Sequence, residues 1–329
     1  MDIKLGVFSK SPKPSPEDEE KTYDVVIIGG GIAGLSAGLY ASRARMDTIL
    51  VEKIGPGGQI ITTDIVENYP GIPEISGYEL GMRMEQQARK YGLKIIIDEV
   101  IRVSLRNEIK ELTLASGKKL KAYSVIIATG ASYKKLGIQG EEKFLGRGVS
   151  FCATCDGAFF KDKDIVVVGG GNTALDEGLF LTRFVKSITL IHRRDSLRAE
   201  KVLQERAFSN PKFKFIWNSV VEEILGDEKV EAVRIRNVVT NETSIVKTDG
   251  VFIFIGLTPN TSIFDEVEKN EAGYIKVNLY DMSTNLPGVF ACGDCVDKLL
   301  RQAITSAGEG AVAAVSAERY VEKIKKNIS

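Results

Sequence analysis

Two cysteines separated by two residues, Cys152 and Cys155, stand directly before a carboxylate, Asp156. Thiols at this spacing can close a small disulfide and reopen it with a proton carrier at hand. The same Cys-x-x-Cys is also half of a zinc site, or simply two small buried residues. On these residues alone the redox, metal and packing readings stand side by side. A second pair of equal spacing, Cys292 and Cys295, brackets Gly293-Asp294. Four cysteines are too few for a secreted disulfide framework, and in a reducing cytosol such pairs point to catalysis or metal binding. His192 is the single histidine, so no second imidazole exists with which to build a metal site.

The elements around the cysteines decide between these readings. Asp24 to Ile28 is an apolar, β-branched run with the character of a buried parallel strand. Gly29-Gly-Gly-Ile-Ala-Gly34 follows, then helical spacing from Leu35 to Arg45 and a second strand, Thr48 to Val51, ending at Glu52. A Gly-x-Gly-x-x-Gly string is weak alone. Set between a strand and a helix, with an acid 18 residues beyond Gly34, it reads as a dinucleotide-binding unit. Gly29 permits the tight turn, Gly31 lets backbone approach a pyrophosphate, and Gly34 lets helix and strand pack closely. The start of the helix, at Ile32 and Ala33, supplies a dipole that favours the anion. Glu52 is placed to accept hydrogen bonds from ribose hydroxyls.

Shifted by 140 residues, the chain matches itself. Asp24-Val-Val-Ile-Ile-Gly-Gly-Gly meets Asp164-Ile-Val-Val-Val-Gly-Gly-Gly, and Leu35, Gly38, Leu39 and Arg43 meet Leu175, Gly178, Leu179 and Arg183. Two copies of one dinucleotide-binding unit are therefore expected, the second using Gly169, Gly171, Asn172, Thr173 and Ala174. The same offset sets His192 opposite Glu52, and the chain continues through Arg193 and Arg194 to Arg198. A 2′-phosphate would be repelled by the Glu52 carboxylate and held by this group of cations. The first site is thus expected to take FAD or NAD, and the second NADPH.

Between the copies, residues 55 to 70 are rich in glycine and side-chain amides, which suits contact with a flat heteroaromatic ring or its sugar chain. Residues 95 to 127 read as short strands ending in Val125-Ile-Ile-Ala-Thr129-Gly130. A parallel stretch, 213 to 256, ends in Ile255-Gly256. Each copy is expected to be a parallel sheet capped by a small antiparallel layer. Asp294 follows a strand at a Gly-Asp turn, and the helix that opens near Arg301 and runs to about Lys325 is expected to return to the first domain.

Residues 9 to 22 combine prolines with a charge run and are expected to be a flexible leader. With 43% hydrophobic and 27% charged residues, and 44 basic against 44 acidic side chains, nothing in the net charge suggests nucleic acid or an anionic membrane. No apolar run approaches the roughly 18 residues of a membrane span, and the first 20 residues lack the apolar core of a signal peptide. A cytoplasmic protein is the simplest expectation.

Taken together, Gly29-Gly-Gly-Ile-Ala-Gly34, Gly57-Gly58-Gln59-Ile60-Ile-Thr-Thr63, Cys152-Ala-Thr-Cys-Asp156, Gly169-Gly-Gly-Asn-Thr-Ala174, His192-Arg-Arg-Asp195, Gly293-Asp294 and Arg301-Gln302-Ala303 resemble the low-molecular-weight, bacterial and archaeal type of thioredoxin reductase. The resemblance covers roughly residues 23 to 325. It implies an α/β fold of two Rossmann-like, three-layer domains, the NADPH domain inserted into the FAD domain. The expected boundaries are 1–22 for the leader, 23–131 with 262–329 for FAD, and 132–261 for NADPH and the redox disulfide. It implies a homodimer that reduces the disulfide of thioredoxin or of a glutaredoxin-like redoxin; the alternative is a related flavin reductase serving a peroxiredoxin or glutaredoxin-like partner, or a small dithiol. By the same resemblance Cys155 faces the flavin, Cys152 attacks the substrate disulfide and Asp156 is the acid/base. Lys53 and Asn68 join the FAD set, and Ile255 and Gly256 the NADPH set. A four-cysteine zinc site in a structural protein is the remote alternative. Because the redox pair and the nicotinamide site fall in one domain and the flavin in the other, the second domain is expected to rotate, with hinges near Gly130 to Lys135 and Gly256 to Thr261. Cys292 and Cys295 depart from the family's usual pattern and read first as small buried residues beside the Gly-Asp turn, with a second disulfide or auxiliary redox pair as the alternative; the leader is extra.

Overall fold

The computed structural model describes residues 21–63 and 66–328, with the backbone alone at 62, 154, 155 and 328. The expected leader lies outside the described residues as far as residue 20. The chain leaves a first compact unit after Ala131 and returns to it at Pro259, and Ser132–Thr258 form the second unit. The return thus comes a little before the expected residue 262.

The first unit opens with β1 (Thr22–Ile28), α1 (Ile32–Arg43), β2 (Thr48–Glu52), α2 (Gly77–Lys90) and β3 (Lys94–Ile97). These are followed by β4 (Val100–Ser104), β5 (Lys110–Leu114) and β6 (Lys119–Ile127). β1 pairs in parallel with both β2 and β6, and β3 extends the sheet beyond β2. β5 lies antiparallel on the first half of β6, and β4 on β5. Alternation along β1 separates two cores: Val25 and Ile27 face α1, while Tyr23, Val26 and Ile28 face Leu112, Leu114 and Leu120. Full burial of each such aliphatic side chain stabilises the fold by roughly 1.5–3 kcal/mol. α2 begins where a Ser-x-x-Glu pattern predicts it, the Ser76 hydroxyl accepting from the Glu79 N–H at 3.1 Å.

β7 (Ala131–Tyr133) carries the chain across, and β8 (Val149–Ser150), α3 (Ala153–Asp156), β9 (Asp164–Gly169) and α4 (Asn172–Leu181) follow. Next come β10 (Ser187–Ile191), α5 (Lys201–Ser209) and β11 (Phe213–Ile216). A separate antiparallel layer of β12 (Ser219–Gly226), β13 (Val230–Asn237) and β14 (Thr243–Lys247) leads to β15 (Gly250–Phe254). The main sheet of the second unit is parallel, in the order β11-β10-β9-β15-β8. Its core repeats the first: Ile165 and Val167 face α4 and α5, and Val166 and Val168 face Val221, Val233 and Ile235 of the antiparallel layer.

β16 (Leu257–Pro259) pairs with β7, so the two stretches expected to act as hinges form a two-stranded ribbon. β17 (Val289–Ala291) then completes the first sheet by lying parallel to the second half of β6. α6 (Ala303–Ile328) packs on α1, where Ser36 Oγ donates to the Ala307 carbonyl at 2.6 Å.

Candidate active site

In the first unit the C-terminal ends of β1, β2, β6 and β17 share one edge, because all four strands are parallel. Open α/β sheets bind ligands outside that edge. Gly29 turns there with φ +104°, and a Cβ on it would lie 2.3 Å from the Ala128 carbonyl oxygen. A Cβ on Gly34 would lie 1.9 Å from the Gly29 oxygen, so only glycine lets α1 start against the strand end. Gly31 differs, since its nearest neighbour would be 3.9 Å away, and no side chain caps α1. No side chain therefore accepts from its first N–H groups, as an anion-binding turn requires.

The Glu52 carboxylate accepts from the Gly30 N–H at 2.6 Å and from the Ile54 N–H at 3.0 Å, which fixes it at the mouth of the turn with lone pairs left over for hydroxyl donors. Gly57 N–H donates to the Gly30 carbonyl at 2.7 Å, laying Gly58 against Gly31. Gln59 Nε2 donates to the Ala131 carbonyl, and the Thr63 N–H reaches the Ile60 carbonyl at 2.9 Å. Ile60 and Ala303 pack around Ile32, and Asn68 Nδ2 donates to Gln302 Oε1 at 3.2 Å. Thr129 Oγ1 donates to the Asn260 carbonyl at 2.7 Å, and Gly130, next to it, turns with φ +63°. Gly293 and Asp294 follow β17, and the Arg301 guanidinium lies 4.0 Å from the Tyr274 ring centroid. The Lys53 ammonium, one residue past Glu52, is exposed and pairs with Glu99 at 2.8 Å.

The second unit repeats this construction. A Cβ on Gly169 would lie 2.4 Å from the Phe254 oxygen, whereas one on Gly171 would meet nothing within 4 Å. α4, carrying Asn172, Thr173 and Ala174, likewise starts without a side-chain cap. His192 ends up against Gly170 as Glu52 does against Gly30, so the 140-residue repeat persists in three dimensions. Burial, and then the charges of Arg198 and Arg194, push the imidazole below its ordinary range. Arg193, Arg194 and Arg198 are exposed on a loop pinned to the glycine turn: the Arg198 N–H donates to the Gly170 carbonyl at 2.8 Å. Asn172 and Glu200 exchange two further bonds, both of 2.8 Å. Ile255 is half-buried, and the Gly256 carbonyl accepts from the Lys134 N–H at 2.9 Å. Among the described residues three buried polar side-chain atoms lack a hydrogen-bond partner, and two of them, His192 Nε2 and Arg301 Nε, belong to the two expected dinucleotide sets.

Cys152 leaves the same edge of the second sheet, two residues after the end of β8, and is held in a disulfide. The side chain of Cys155 lies outside the described residues. β8, β15 and β9 are successive neighbours, so Ser150 at the end of β8 lies about 10 Å from Val167, two residues before the end of β9 where the glycine turn begins. Ser150, which the sequence did not single out, accepts from the Cys152 N–H at 3.0 Å and donates to its carbonyl at 3.1 Å. This clasp starts α3, whose last residue, Asp156, donates its N–H to the Cys152 carbonyl at 3.3 Å.

Cys292 and Cys295 are free, buried thiols. Cys292 packs with Ala33, Phe290 and Ala313 on the helical face, and Cys295 with Ala291, Ile275 and Val296 on the other face of the sheet. Burial pushes the Cys292 thiol well above its ordinary range and Cys295 up to about 11. Protonated and facing opposite ways, they are packing residues. Alkylation after denaturation is therefore expected to count two thiols in the oxidised protein and four after reduction. A count of zero in the oxidised protein would mean that these two pair after all. Among the described residues, no group of three or more His, Cys, Asp or Glu side chains could hold a metal ion.

The chain belongs to the pyridine nucleotide-disulphide oxidoreductase family, whose sequence pattern matches residues 23–310. It is 49% identical over 310 residues to a thioredoxin reductase of Listeria innocua, spanning 94% of this chain and 97% of that protein. It is 48% identical over 312 residues to that of Bacillus subtilis, spanning 94% and 98%. The crystal structure of Lactococcus lactis thioredoxin reductase superposes with a TM-score of 0.89 at 43% identity, covering 92% of this chain and all of that one. That of T. acidophilum gives 0.86 at 35% identity, covering 92% and 99%. Within the family the chain therefore stands among the thioredoxin reductases, which are flavoprotein disulfide reductases.

Proposed function

We propose that the first unit holds FAD, that the second holds NADPH, and that the chain reduces the disulfide of thioredoxin through Cys152 and Cys155. The carrying observation is the oxidised Cys152 on the same sheet edge as an open, uncapped glycine turn. When bound, the two cofactors supply a hydride and a two-electron relay. In the first unit Gly31 and the uncapped start of α1 bind the pyrophosphate, and Glu52 and Asp294 accept from hydroxyls. In the second, Gly171 and the start of α4 bind the pyrophosphate, and Arg193, Arg194 and Arg198 hold the 2′-phosphate. The Cys152–Cys155 disulfide takes two electrons and two protons to become two thiols, with Asp156 as the proton carrier. Closing again, the pair passes both electrons and both protons to the disulfide of thioredoxin.

A homodimer fits the exposed Leu299 and Leu300 ahead of α6, and sedimentation of the purified chain checks it. A reducing, cytoplasmic setting suits a protein that keeps Cys292 and Cys295 as thiols; no helix among the described residues is long and apolar enough to cross a membrane. Mixing the purified chain with NADPH and oxidised thioredoxin tests the function. Thioredoxin thiols are expected at two per NADPH consumed. Bleaching of the flavin without any thioredoxin thiol would assign the electrons to another acceptor.

A further inference from the structure

In the first unit, a buried ion cluster that the assigned chemistry does not use sits directly behind the Gly293-Asp294 turn. Lys298, its side chain 4% exposed, places its ammonium 2.9 Å from Glu309 Oε2 and 3.4 Å from Asp294 Oδ1. Glu309 Oε2 also accepts from the Gly293 N–H at 2.8 Å. Ser306 Oγ stands 3.5 Å from the ammonium and 3.4 Å from Asp294 Oδ1. Gly293, at φ +78°, leaves no room for a side chain, since a Cβ would lie 2.8 Å from the Ala33 Cβ in the first turn of α1. The cluster therefore touches the turn through main chain and side chain at once, where that turn meets the helix start described above as an anion site.

Two carboxylates beside an anion site are unfavourable unless a cation accompanies them. Burial already pushes the Glu309 carboxyl up, and the Lys298 hydrogen bond and charge pull against that. With Lys298 in place the cluster carries one net negative charge, and without it two, next to a ligand that brings two more on its pyrophosphate. We propose that Lys298 is a positioning residue for the flavin: its ammonium offsets one of the two negative charges of Asp294 and Glu309 and holds the Gly293-Asp294 turn in the form that admits an anionic dinucleotide. This rests on the reading of the first unit as the FAD site.

Deflavinated full-length chain, titrated with FAD and followed by flavin fluorescence, tests it. Lys298→Met is expected to weaken FAD binding on the order of 100-fold, because removing one partner of a buried pair strands the other charge. Lys298→Arg is expected to retain affinity. Lys298→Met with Glu309→Gln is expected to recover most of what the single change loses, since the neutral amide still accepts from Gly293. A packing role would show no such recovery. Nucleotide binding to the second unit, read from the fluorescence of Trp217, the only tryptophan, controls for the integrity of each variant. Unchanged FAD affinity in Lys298→Met, or loss in the double variant as deep as in the single one, overturns the proposal. Failure of the unsubstituted chain to bind FAD overturns the FAD reading and the proposal with it.

Discussion

Replacing Cys152 with serine is expected to stop thioredoxin reduction, by at least about 1,000-fold, while NADPH still bleaches the flavin. Serine is close to isosteric, so the Ser150 clasp on the main chain at 152 stays and α3 still starts there. What disappears is the sulfur: a hydroxyl cannot form the disulfide through which electrons must pass. The separation of the two half-reactions carries the test, because a general loss of folding would slow both. Rapid mixing with NADPH, followed at the visible flavin band, measures the first, and thiol release from thioredoxin measures the second. Turnover that survived the substitution would place the redox pair elsewhere in the chain.

Arg193→Ala with Arg194→Ala is expected to raise the KM for NADPH by roughly 100-fold and to leave that for NADH within about twofold. A charge-assisted hydrogen bond to phosphate contributes about 1.5–3 kcal/mol, and two such bonds at the lower end, for exposed side chains, come to about two factors of ten. The loop itself should survive, since main-chain atoms fix it: the Arg194 carbonyl accepts from the Asn218 N–H at 3.1 Å, and the Arg198 N–H donates to Gly170. His192 is a poor substitute, because burial and the remaining Arg198 guanidinium still push its imidazole below the ordinary range. Raising the ionic strength should narrow the difference between the two nucleotides by screening the exposed charges. Equal losses for NADPH and NADH would refute the phosphate role.

Much of this could be seen in the chain itself, for reasons that differ from residue to residue. The glycine strings were legible because their constraint is local: a turn, a close approach and a helix start fall within six residues, and the copy at 140 residues repeats all three. Glu52 and His192 were legible because one ends the next strand of its copy and the other directly follows it. For Lys53 the chain gives no sign of its partner, because only the fold brings its ammonium to Glu99. Ser150 could have been found from its spacing two residues ahead of Cys152, a turn signal that the cysteines overshadowed. Glu200 and Glu309 could not, because only tertiary packing brings them to Asn172 and Gly293. Cys292 and Cys295 read as small buried residues beside the turn and are so, but only the fold shows that the short helical turn between them sends one to each face of the sheet.

β17 and α6 come from the end of the chain yet complete the sheet and helical layer begun by its first strand. A chain emerging from the ribosome at about 5–20 residues per second has all of Ser132–Thr258 available before the partner for the second half of β6 exists. During that interval Val125, Ile126 and Ile127 lie beside an unfilled slot, and α1 lacks the helix that later buries its small residues. The half whose synthesis starts first is therefore the half that matures last, and loss of the C-terminal helix should leave a folded second unit attached to an unfinished first one.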